Sequence, residues 1–130
     1  MLFYMDNFLL SVSRLQDAIN QYLSHPDNAI IRDGMIHRFE FALSLSWKAA
    51  KDYLIHSDIS CNTDFPKQVI KTAYTYHLID DEKIWMDMLD STKYTSHTFD
   101  DSILSDLAAD ISIHFFPALN RLADRFRFSG

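Results

Sequence analysis

Apolar residues recur along this chain at alternating intervals of three and four, the spacing of one face of an α-helix. Phe8, Val12, Leu15, Ile19 and Tyr22 share such a face, which predicts a first helix from Phe3 to about Leu23. The polar run from Ser24 to Asn28 ends it, with Pro26 as the breaker, because proline lacks the N–H that the next helical bond needs. The second pattern is the longest. Ile36, Leu43 and Ala50 recur at seven with Phe39, Trp47 and Leu54 between them, predicting a helix from about Ala29 to about His56. Gly34 is its weak point, costing about 1 kcal/mol relative to alanine.

After a polar loop from Ser57 to Phe65, Pro66 suits the first turn of a third helix reaching about His77, with Val69, Ile70, Ala73 and Tyr74 inward. Asp80 and Asp81 cap a fourth helix that turns Ile84, Trp85, Met88 and Leu89 inward and ends near Thr92. Asp100 and Asp101 open a fifth, running to about Phe126. Its inward stripe is Ile103 or Leu104, then Leu107, Ile111, Phe115, Ala118, Leu122 and Phe126, and Pro117 should kink it near Ile113. The expected architecture is an all-α, up-and-down bundle of four to five helices, one domain over residues 1–130.

Composition narrows what such a bundle does. Gly34 and Gly130 are the two glycines in 130 residues, so no glycine-rich loop can cradle a phosphate or a dinucleotide. Hydrophobic content of 48% excludes a disordered chain. Cys61 is the single cysteine, which excludes an internal disulfide and a thiolate metal cage and fits a reducing, cytoplasmic setting. The N-terminus reads as helix rather than leader, and no run of about 18 uncharged apolar residues predicts a membrane span. A net charge of −6 argues against a nucleic-acid stripe. All but Glu40 and Glu82 of the 18 acidic residues are Asp, a residue suited to helix starts, so the Asp residues should mark boundaries.

The hydroxyl-rich stretch Thr92–Thr98 holds the least ordinary chemistry. His97 there reads either as an acid/base or ligand group beside a helix N-terminus, which attracts phosphate, or as a surface residue among the caps Ser96, Thr98 and Asp100. His37 and Glu40, one turn apart, suit a metal only with further ligands that the sequence does not offer; salt bridging by Arg38 or Glu40 to a neighbouring helix is the plainer reading. No metal or cofactor is expected. His114 reads as a satisfied core histidine, Trp47 and Trp85 as core, and Cys61 as unactivated. Arg121, Arg125 and Arg127 form the one basic patch, suited to a phosphate or to the negative end of their own helix.

The blocks IHRFEFALSLSWKAAKDYL (Ile36 to Leu54), PKQVIKTA (Pro66 to Ala73) and TSHTFD (Thr95 to Asp100) together resemble the nucleotidyltransferase substrate-binding proteins, a branch of the HEPN superfamily of helical bundles. The resemblance implies a dimer and a separate partner, a minimal nucleotidyltransferase encoded nearby. In many such pairs the HEPN chain is an RNase toxin whose motif sets an Arg five positions before a His, usually with Asn after the Arg and Tyr two after the His. Here His97 is retained, but Thr92, Lys93 and Phe99 replace the Arg, Asn and Tyr. Thr92 cannot stabilise phosphate charge in a transition state. Lys93 offers a point charge instead. Phe99 offers no hydroxyl to a nucleotide-transferring partner.

The expected function is therefore a non-catalytic subunit that binds a nucleotide or other substrate through Thr92, Lys93, Ser96, His97 and Phe99. The alternative is an RNase toxin in which His97 acts as base within a cleft across the dimer, with RNA as its ligand. A plain scaffold is the third reading. Phe3, Tyr4, Phe41, Tyr53, Tyr76, Phe116 and Phe128 exceed what one core of this size holds, which also predicts a homodimer interface.

Overall fold

The computed structural model describes residues 3–93 and 100–128 and contains no strand among them. α1 is Phe3–Ser24, α2 Ala29–His56, α3 Pro66–Thr75 and α4 Glu82–Ser91. The last rod is continuous in three parts: α5 (Asp101–Asp110), a π-helical turn (Ile111–Phe115) and α6 (Phe116–Phe128). The all-α bundle expected from the apolar spacing is thus present.

α1 and α2 form a long antiparallel hairpin. The Asn28 side chain accepts from the Ile31 N–H at 3.1 Å and so starts α2 immediately after the Pro26 turn. α2 is the central helix, packed by α1, α3, α5 and α6. That is why its buried residues, from Met35 and Ile36 through Phe39, Leu43 and Ala50 to Leu54, occur on more than one face. Phe39 stacks on Phe115 with ring centroids 5.6 Å apart, and Phe126 meets both Phe8 and Tyr53. Buried Ser11 and Ser46 donate to the carbonyls of Phe8 and Leu43 on their own helices, so neither leaves an unmet donor in the core.

Several expectations need correcting. α3 stops at Thr75 rather than His77, because His77 adopts a left-handed backbone (φ 64°) and the Leu78 N–H closes onto the Ala73 carbonyl at 2.9 Å. Tyr74 is exposed rather than inward, since α3 meets the bundle along Val69, Ile70 and Ala73. Leu104, not Ile103, takes the core position at the start of α5. Tyr4, Tyr53 and Phe116 pack half-buried against the core, so the surplus of aromatics is smaller than expected; Phe3, Phe41, Tyr76 and Phe128 remain exposed. Asp81 and Asp100 do cap α4 and α5, but Asp87 and Asp106 sit inside helices.

Pro117 acts through the π-helical turn. The missing proline N–H leaves the ladder one donor short, and the Phe116 N–H reaches back to the Ile111 carbonyl, five residues earlier. The widened turn leaves Ile113 and His114 at the surface. The rod Asp101–Phe128 is long and apolar enough, by length and composition, to cross a membrane. In the bundle its Leu104, Leu107, Ile111, Leu119 and Leu122 are core residues.

Candidate functional site

The stretch singled out by its hydroxyls lies between α4 and α5. Ser96, His97 and Phe99 fall outside the described residues; Thr92, Lys93 and Asp100 bracket them. Thr92 caps the C-terminus of α4, half-buried, and its hydroxyl donates to the Leu89 carbonyl at 2.9 Å. Lys93 is exposed, its ammonium 3.6 Å from Asp90. Asp90 is also reached by Lys67 of α3 at 2.8 Å, and the Lys67 hydrogen bond holds its carboxyl below the usual carboxylate range. Asp100 accepts from the Ser102 and Ile103 N–H groups, which anchors the first turn of α5.

A cleft of about 420 Å³ opens between α4 and the last rod, with Asp87 and Asp90 on one wall, Asp106, Asp110 and His114 on the other, and Phe115 among its apolar lining. His114 is therefore a surface residue of this cleft and not the core histidine expected, because the π-helical turn rotates it outward. Among the described residues no group of three or more His, Cys, Asp or Glu is placed to hold a metal ion. His37 and Arg38 are exposed, and Arg38 donates to the Arg14 carbonyl of α1 at 2.8 Å and, among the described residues, meets no carboxylate.

The C-terminal arginines act as ties. Arg125 donates to the His77 carbonyl at 2.8 Å, Arg127 pairs with Asp124 at 2.8 Å, and Arg121 lies 3.6 Å from Asp80. Arg121 and Arg125 edge a second cleft of about 390 Å³ whose lining includes Trp85. Cys61 is buried, which pushes its thiol pKa up and keeps it protonated.

Arg32 escaped the sequence reading. It is 6% exposed, and its guanidinium reaches Asp33 at 3.1 Å, Asp101 at 3.0 Å and Ser105 at 3.5 Å. Burial opposes its charge, but the hydrogen bonds to Asp101 and Asp33 more than offset that and hold its pKa above the ordinary value. It ties the first turns of α2 and α5, and so fixes where the stretch after α4 rejoins the bundle. The signal was there: Arg32 continues the Ile36–Phe39–Leu43 stripe by four residues toward the N-terminus.

Comparison with known proteins follows the same lines. A family model described as nucleotidyltransferase substrate binding protein like matches residues 4–127. Among solved structures, HI0074 from Haemophilus influenzae superposes with a TM-score of 0.81 at 24% identity, over 95% of this chain and 98% of that one. That structure is described as revealing the fold of a substrate binding domain of a nucleotidyltransferase. No curated protein matches the chain.

Proposed function

The chain belongs to the nucleotidyltransferase substrate-binding-protein-like family, and from that membership we propose that it is the substrate-binding subunit of a two-chain nucleotidyltransferase. The observation that carries this reading is the extent of the family match, which spans both long helices, the α4–α5 corner and the last rod. The scarcity of glycine supports it, because a chain without a glycine-rich phosphate loop needs that element from a partner. The working form is a homodimer, with substrate or nucleotide contacted through Thr92, Lys93, Ser96, His97 and Phe99.

Hydrolysis of RNA is the weaker reading. The position where the RNase motif has Arg is Thr92, whose hydroxyl already bonds to the Leu89 carbonyl and carries no charge toward a phosphate. The test is co-purification with the nucleotidyltransferase encoded beside it. A stoichiometric complex is expected, and no association at micromolar concentrations overturns the proposal. The same cells provide the contrast: inducing the chain alone should leave growth equal for wild type and His97→Ala. Toxicity that His97→Ala relieves would favour the RNase instead.

A further inference from the structure

The α1–α2 hairpin leaves one groove that the bundle does not fill. Leu10, Phe41 and Leu45 provide its apolar surface, Arg14 and Arg38 its cationic part with His37 beside them, and it measures about 470 Å³. Leu10 and Phe41 are 53% and 59% exposed, unusual for such large apolar groups in adjacent positions. Phe3, at 73% exposure, continues the stripe, since Phe3, Leu10 and Arg14 are spaced by seven and four along one face of α1. From Phe3 to Arg14 this stripe runs roughly 16 Å, three helical turns.

The charge around the groove is opposite to that of the chain as a whole. Among the described residues no carboxylate lines it, whereas the net charge is −6. Among the described residues neither Arg14 nor Arg38 has an ion-pair partner. The Arg38 hydrogen bond to the Arg14 carbonyl, 2.8 Å, keeps the Arg38 guanidinium at that end without neutralising it. Asp17 lies beyond, on the shallower surface that both arginines share with Asn20 and Gln21.

We propose that this groove docks an amphipathic helix of the nucleotidyltransferase partner, about three turns long, apolar on one face and carrying carboxylates that meet Arg14 and Arg38. The inference rests on the reading that a nucleotidyltransferase is the partner. A second copy of this chain suits the groove less well. A closed two-fold contact sets the same patch of both copies together, and among the described residues that patch holds no acid to meet Arg14 and Arg38.

The experiment measures binding of the purified chain to the purified neighbouring nucleotidyltransferase for wild type, Arg14→Glu with Arg38→Glu, Phe41→Ser, and the control Tyr76→Ser on another exposed aromatic. These positions are at the surface, so circular dichroism melts should match wild type. Charge reversal should weaken binding by about 100-fold or more and remove its salt dependence. Phe41→Ser should weaken it roughly tenfold, and Tyr76→Ser by less than about twofold. If wild type binds and the groove variants bind equally well, the groove assignment falls while the partnership stands. If wild type does not bind, both fall. If the groove variants instead convert a homodimer to monomer in light scattering, a second copy occupies the groove and the assignment is overturned.

Discussion

The α1–α2 hairpin and the corner where α4 meets α5 use polar groups in opposite ways. Inside the hairpin the polar groups are serines bonded to their own helix, and the two helices are joined by apolar contacts such as those of Phe8, Val12 and Leu15 with α2's core face. Around the corner, ion pairs are added to the apolar core: Arg32 of α2 meets Asp101 of α5, Lys67 of α3 and Lys93 meet Asp90 of α4, and Lys83 meets Asp87 within α4. Apolar packing is insensitive to salt and pH, whereas exposed ion pairs contribute at most about 1 kcal/mol each and weaken with ionic strength. Both regions therefore share one apolar core, which also holds Trp85, Met88 and Leu104, and the ion pairs around the corner add a part that responds to the solution.

The largest expected effect lies in that core. Phe39→Ala removes a fully buried ring stacked on Phe115 and should cost about 3–5 kcal/mol in urea unfolding. A loss below 1 kcal/mol would mean that the core relaxes freely around this position. Next is the tie between the two regions. Arg32→Met keeps the apolar stem and removes the guanidinium, leaving Asp33 and Asp101 largely solvated, and should cost about 1–2 kcal/mol. The cost should shrink when Asp101→Asn is already present; strict additivity in that double-mutant cycle would refute the tie.

Gly34→Ala should stabilise α2 by about 0.5–1 kcal/mol. A methyl there meets nothing within 4 Å, and the residue gains helix propensity. A lower melting temperature would show that Gly34 serves something other than the helix.

The smallest effect is acid sensitivity. Hydrogen bonds from Lys67 and Lys51 lower the carboxyl pKa of Asp90 and Asp64 in the folded chain. Their contribution is complete above the unfolded carboxylate value of about 3.9 and is lost as pH falls through the lower folded values. Stability should therefore decline below about pH 4, and Lys67→Met should flatten that decline slightly. An identical acid limb with and without Lys67 would place the sensitivity elsewhere.

Helix positions were legible because their causes are local. The α2 limits, Ala29–His56, match the expectation from the apolar spacing, and Asp81 and Asp100 announce themselves as caps, whereas the Asn28 cap was read only as the end of the polar run. The misplaced end of α3 has a local cause too, but a poorly signalled one: a histidine in the left-handed region ends the helix where glycine is the usual sign. Pro117 signalled a break without showing its form. Whether a missing N–H yields a kink or a π-helical turn depends on how the neighbouring rods pack, and here that choice turned His114 outward into the cleft. The candidate residues Thr92 and Lys93 were legible as a composition anomaly, whereas Arg32 looked like an ordinary charge.

Periodicity, capping and the glycine count, each set by residues within a turn or two of one another, determine that this chain is an all-α bundle with no phosphate loop of its own. Their reach ends at the surface of each helix. Only the packing of α2 against α5 decided that Arg32 would be buried beside Asp101, and only the hairpin's register set Arg14 and Arg38 together beside an open apolar groove. Burial and electrostatic environment belong to the contact between helices, and a linear pattern carries the stripe but not the neighbour that meets it.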